Sequence, residues 1–416
     1  VSMEISFLEY PSRREQEREK QMKAWRSSCV TAVVLASIAV VASVAPAANV
    51  NFLQEYSGGT YDDAFTNNAY WSTGTAPLST DRARFMYLSD GTVTAVRLQD
   101  DFTHTAFVVA GYGSTQKLIV DLNGHTHTAT ETRNGYFTVG GSEGVGTLEL
   151  RDTGAVKGQA NWTKFDVGFA SLNTGELLVN GATINCSGTS SEIRIASQGT
   201  GKLTITNGGV LSAAVRNMYV AIDNVINTRG ESTTGTVVVD GSASSMTVAD
   251  LWISGKTDRA GGNASLTIQN GASVTATGTL TVWDPGSVTV TGGSLQAAAM
   301  NLKDNSDLAL TVNDSISAAI VNITGDLTIG SGVVLSLQFD DAGAYGDFIP
   351  LIQYAGALSG TFAGLEEGSQ VMVGGTAMTL TYTGGDNNTT IALVPEPMTM
   401  SLLALGAAGL VVRRRK

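Results

Sequence analysis

The sequence is short of the residues that staple, stiffen or charge a chain. Of 416 residues only two are cysteine, seven are proline and three are histidine, and charged residues make up 15%. So few cysteines and prolines exclude a disulfide-stapled miniature and a collagen-like polymer. With 43% hydrophobic residues, the chain is not a charged disordered tail either. Cation clusters are missing from the body: residues 48–412 carry 15 Lys/Arg against 32 Asp/Glu. That balance argues against nucleic acid as a partner, because phosphate binding needs clustered Lys/Arg. A phosphate-binding loop is missing too, since Gly140, Gly141, Gly144 and Gly146 lack a Lys-Ser/Thr ending and a following helix. What abounds is glycine, at 48 positions, or about 11.5% against roughly 7% in an average chain. Many turns around a long apolar core predict an all-β fold.

Both ends read as addresses. Residues 1–21, rich in Arg and Glu, have no place in an export signal and read as an upstream extension from a start assigned too early, with Met22 the true start. Residues 22–47 have the order of a signal peptide: Lys23 and Arg26, an apolar helical run from Cys29 to Val44, then the small residues Ala45 and Ala47, with cleavage expected after Ala47. The alternative is an uncleaved anchor of about 16 residues, marginal for a ~30 Å hydrocarbon core. Cys29 would leave with the leader. Cys186 would then have no disulfide partner in its own chain, and its alternating stretch predicts a small buried residue.

Near the C-terminus, Met398–Val412 is an uncharged stretch able to form an apolar anchor helix through Leu402, Leu403, Leu405 and Leu410. The cations Arg413, Arg414, Arg415 and Lys416 follow as a positive stop on the cytoplasmic side. Val394-Pro395-Glu396-Pro397, the apolar helix and the arginine cluster resemble, in order and position, the PEP-CTERM sorting signal of bacterial exported proteins. The resemblance implies recognition of Pro395, Glu396 and Pro397 by a membrane protease, exosortase, and cleavage near that tripeptide. It implies an exported protein, transiently anchored in the inner membrane and delivered to the cell surface or an exopolysaccharide matrix. An ordinary tail anchor is the alternative.

Between the signals the chain repeats a unit, Gly-x-apolar-x-apolar-x-x-Gly-small-x-apolar. Its first apolar residues, Leu148, Leu177, Leu203, Val237, Leu266 and Val288, lie 29, 26, 34, 29 and 22 residues apart. Each interval holds a further strand-like piece, such as Ile193-Arg194-Ile195 or Leu251-Trp252-Ile253. Alternation places the apolar side chains on one strand face, and Asn-Gly, Asp-Gly and Gly-Gly supply positive-φ corners. A five-residue strand cannot bury its inner face alone, whereas stacked coils can. The pattern predicts a parallel β-helix (β-solenoid) of two or three strands per coil over residues 136–325. Residues 48–135, with an aromatic stretch from Phe52 to Tyr87, would form an N-terminal cap and first coils; 326–393 would form a C-terminal β cap; 394–416 would be the sorting and anchor segment. An antiparallel sandwich would use the same turn residues. The repeats with their flanks resemble the passenger region of autotransporter-type adhesins, which implies surface display and an adhesin-like role.

Chemistry is hard to find. The carboxylate pairs Asp62-Asp63, Asp100-Asp101 and Asp340-Asp341 are adjacent in sequence and so point to opposite strand faces. Of the three histidines, His104, His125 and His127, the last two would share a face about 6.8 Å apart, with Asp100, Asp101 and Glu131 in the neighbourhood, which makes a metal site conceivable, but a solvent-facing polar ladder is the plainer reading. No catalytic residue, metal ligand or cofactor is assigned; calcium at acidic turns stays open, without named ligands. The expectation is a non-catalytic surface or matrix protein with polysaccharide as a candidate partner. The alternative is a secreted polysaccharide lyase or glycoside hydrolase on a β-helix scaffold.

Overall fold

A computed structural model describes residues 48–395, apart from 53–59, 63–64, 86–92, 110–114, 131–137, 141–144, 171, 188–191, 225–229, 231, 314–317 and 340–344. The expectations for Ala45, Ala47, Glu396, Pro397, Leu402, Leu403, Leu405, Leu410, Arg413, Arg414, Arg415 and Lys416, and for the leader and anchor helices, lie outside the described residues. Among the described residues no helix is long and apolar enough to cross a membrane.

The Gly-x-apolar-x-apolar unit forms seven-residue strands such as Val145–Arg151, Thr174–Asn180, Thr200–Thr206 and Thr234–Asp240. Each pairs in parallel with the same strand of the next repeat, in an 11-stranded sheet that runs from Thr60–Asp62 to Val334–Phe339. This is the first ladder. Its register aligns Leu118, Leu148, Leu177, Leu203, Val237, Leu266, Val288, Leu308 and Leu335 in one column. The repeat residues picked out by spacing are therefore stacked on one another. They are buried, and each such side chain taken from water contributes about 1.5–3 kcal/mol.

Two more parallel ladders follow within each repeat. One contains Gln159–Trp162, Thr183–Cys186, Val210–Ala213 and Ser245–Val248. The other contains Asp166–Val167, Ile193–Ile195, Met218–Val220 and Leu251–Ile253, the pieces that alternation predicted. Strands Ser273–Val282 and Ser294–Leu302 run through both ladders and join them in one sheet. Three strands per repeat, paired in parallel, are consistent with a parallel β-helix and are not the pairing of an antiparallel sandwich.

The corners explain the glycines. Between the first and second strands the chain turns at Asn123-Gly124, Asn207-Gly208 and Asn270-Gly271, all with positive φ. After the third strand a left-handed residue recurs at Gly140, Gly168, Ala196, Ala221 and Ser254. At the first four of these the backbone presses on the glycine near the start of the next first-ladder strand, Gly146, Gly175, Gly201 or Gly235. A Cβ on Gly201 would run into the Ala196 nitrogen and the Val167 carbonyl oxygen.

The two ends of the described body differ from its middle. Near the N-terminus Phe52, Phe65, Trp71 and Phe85 fill the interior with ring centroids 4.9–6.1 Å apart. Near the C-terminus pairing turns antiparallel: Thr390–Pro395 lies between Ile349–Tyr354 and Thr376–Gly384, which in turn pairs Gln370–Val373. Pro395, the first residue of the tripeptide, is exposed at the end of that last strand.

Candidate functional site

The second ladder carries two buried histidines. His127 takes the column of Phe102, Ala160, Ile184 and Leu211, and His104 that of Ala129, Trp162 and Cys186. Trp162 Nε1–H donates to His127 Nδ1 at 3.1 Å, which leaves the His127 proton on Nε2. That proton is donated to His104 Nε2 at 2.9 Å, and His104 Nδ1–H donates to the Ala106 carbonyl oxygen at 2.8 Å. One tautomer of each ring satisfies the whole chain. Burial pushes His104 down to about 4, against a smaller opposing pull from the Ala106 carbonyl. Burial, and then the neighbouring His104, hold His127 well below the usual imidazole range. Both rings are neutral, with every nitrogen engaged. The solvent-facing ladder expected for His125 and His127 is thus not formed. His127 points inward, whereas His125 precedes its strand, half-buried, 3.8 Å from Asp101.

The other sequence candidates do not converge. Asp100 and Asp101 are exposed, and Asp101 accepts from the Thr126 amide at 2.7 Å. The side chains of Asp62 and Asp63, and all of Asp340, Asp341 and Glu131, lie outside the described residues. Among the described residues no group of three or more His, Cys, Asp and Glu side chains is placed to hold a metal ion. Cys186 is buried as expected, and burial pushes its thiol up to about 12.

Several carboxylates that spacing did not single out tie one repeat to the next. Asp152 accepts from the Gly124, Gly154 and Gly158 amides at 3.0, 3.0 and 2.7 Å. Asp250, Asp304 and Asp326 accept from Thr279, Ser331 and Ala357 in the following repeat. Asp121 is almost fully buried. Burial alone would raise its pKa, but hydrogen bonds from Thr153 and Asn123 and the charge of Arg151 carry it below the usual carboxylate value.

The outer face of the third ladder holds a site with varied chemistry. Register stacks Asp166, Arg194, Tyr219 and Trp252 along it, and the Tyr219 and Trp252 rings stack with centroids 4.6 Å apart. Beside them opens a cleft of about 410 Å³. Its charged lining is Glu192, Arg194, Asp223, Lys256 and Arg259; Phe169, Tyr219 and Ile222 line it with apolar surface, and Ser197 and Gln198 complete it. Arg194 pairs with Glu192 at 2.8 Å and Arg259 with Asp223 at 2.5 Å. Asp166, 4.0 Å from Arg194, is raised to about 6 by burial, against the opposing charges of Arg194 and Lys164. Sequence reasoning missed this site, because its residues come from three repeats and a hairpin with no motif in common.

Comparison with known proteins adds the C-terminus. The family model of the PEP-CTERM protein-sorting motif matches residues 393–416. No curated protein matches the chain, and no solved structure does. The match covers the Pro395-Glu396-Pro397 tripeptide, the apolar stretch and the closing cations together. The chain therefore carries a C-terminal PEP-CTERM sorting motif, the mark of an exported, envelope- or surface-directed protein sorted by exosortase.

Proposed function

We propose that residues 48 to about 394 form a closed parallel β-helix that serves as a non-catalytic structural or adhesion-type scaffold at the cell surface or in an exopolysaccharide matrix. The observation that carries this reading is the unbroken parallel register from Leu118 to Leu335, which puts the sequence into a self-stacking core rather than a cleft of catalytic groups. The titratable groups inside are committed: His104 and His127 to Trp162 and Ala106, and the corner aspartates to backbone amides. The leader ending at Ala45 and Ala47 and the tail anchored through Leu402, Leu403, Leu405 and Leu410 would be removed in transit, with the membrane a temporary partner. The mass of the mature protein from fractionated cells tests this. Cuts after Ala47 and near Pro395 in a surface or matrix fraction support it; an intact mass through Lys416 in the inner membrane refutes it.

A second reading, a polysaccharide lyase or hydrolase, draws on Asp166, a carboxyl raised to about 6 beside Arg194 and so suited to proton transfer near neutral pH. Release of new reducing or unsaturated ends from a polysaccharide panel, with and without calcium, and its loss in Asp166→Asn, would favour the enzyme.

A further inference from the structure

We propose that the cleft beside Tyr219 binds a uronate unit of an acidic polysaccharide. The inference adds a ligand to the scaffold reading and rests on that reading only for where the ligand would be met.

The cleft's charge is the first argument. Pairing Arg194 with Glu192 and Arg259 with Asp223 leaves Lys256 with no ion-pair partner among the described residues. A cation that no described carboxylate neutralises, in a body of net negative charge, is a place for one anionic group. The second argument is a buried hydroxyl. Ser197 is among the residues that line the cleft, it is only 6% exposed, and its hydroxyl has no hydrogen-bond partner among the described residues. Such a group costs stability unless a ligand or water meets it. Third, Phe169 and Ile222 give the same cleft an apolar wall, and its volume falls in the roughly 300–1,000 Å³ range of small-ligand sites.

A pyranose uronate answers all three at once. Its C–H face suits the apolar wall, its hydroxyls meet Ser197, and its carboxylate meets Lys256. A neutral sugar leaves the ammonium unmatched, and an acidic peptide brings no ring hydroxyls.

The cleft is also built rather than incidental. Lys256 and Arg259 stand on a two-stranded hairpin, Gly255–Lys256 with Arg259–Ala260, inserted between the third and first ladders. The hairpin is held at its base: the Ser254 hydroxyl donates to the Gly262 carbonyl oxygen, and the Gly262 amide donates to the Ala221 carbonyl oxygen at 3.1 Å. Both cations are thus presented from a fixed base.

Titration calorimetry of the full chain tests the proposal with three probes: a galacturonate trimer, its methyl ester and a glutamate trimer. The acid trimer is expected to bind about tenfold more tightly than the ester, the worth of one charge-assisted contact. Lys256→Gln should abolish that preference, and Ser197→Ala should weaken the acid trimer about threefold or more. Lys202→Gln, whose lysine pairs with Glu176 on the first ladder, should change neither value. Circular dichroism establishes that each variant is folded. Equal binding of acid and ester, equal binding of the glutamate trimer, or no saturable heat overturns the proposal. None of these results bears on the mature mass, so failure here and failure of the surface-scaffold reading are separately visible.

Discussion

His127 stands in a column of apolar residues, and it is tolerated there because Trp162 and His104 use both ring nitrogens. His104→Leu leaves the His127 Nε2–H without an acceptor and should cost about 1–3 kcal/mol in urea denaturation. The same pair makes stability depend on pH. The folded pKa of His104, about 4, lies below the ordinary 6.5, so the unfolded chain takes up the proton first as the medium turns acid. Stability from this group is complete above pH 6.5 and is lost as pH falls towards 4. Asp166 slopes the other way: its folded pKa of about 6 exceeds 3.8, so its contribution is complete below 3.8 and is lost as pH rises through 6. Urea midpoints between pH 7 and 4.5 should therefore fall less steeply in His104→Leu/His127→Leu, and more steeply in Asp166→Asn. An unchanged slope in the histidine double variant would mean that the rings titrate as in water. Neither histidine's fate was legible in sequence. Alternation placed His125 and His127 on a common face, but only the neighbouring repeats decide that the His127 face is the inside.

At the scale of the strand, the repeat is a device for turning as much as for burying. In four successive first-ladder strands the second residue is a glycine that receives the backbone of the preceding corner, which is why glycine recurs at Gly146, Gly175, Gly201 and Gly235. Gly201→Ala should destabilise by about 1–3 kcal/mol through overpacking against backbone that cannot yield. By contrast Gly74, with open space around it, needs its glycine only for its positive φ. Asp152 works on the other corner, between the first and second strands, by gathering three amides of two successive turns. Asp152→Ala should cost about 1–3 kcal/mol, and Asp152→Asn less, because Asn keeps one acceptor oxygen. Thermal or urea unfolding of the pair checks the order. The strands themselves were plain in the sequence, since Leu148-x-Leu150 or Val237-x-Val239 can bury only one face. The amides that donate to the corner aspartates were not, because those of Gly124, Thr279, Ser331 and Ala357 lie about a repeat away from their acceptors.

Across the body, a parallel stack has two ends whose edges would pair with further strands unless something stops them. At the C-terminal end the stopping element is the antiparallel set built on Thr390–Pro395, whose Leu393 is fully buried opposite Ile349 and Leu380. Leu393→Asp should unseat that strand and drive self-association, read as a shift to larger species in size-exclusion chromatography while the wild type elutes unchanged. The same strand ends at Pro395, so a cut after that residue would leave the terminal sheet whole.

The linear order of residues determined the all-β class, the parallel stacking period and the C-terminal motif, because each depends on spacing along the chain: two for a strand face, 22 to 34 for a coil, and a fixed order for the sorting signal. Only the tertiary structure decided which polar groups are buried together. His104 meets His127 across 23 positions, Trp162 reaches His127 across 35, and Arg259 reaches Asp223 across 36. Such contacts form between repeats whose lengths differ, and their register is set by the packing of the core beneath them.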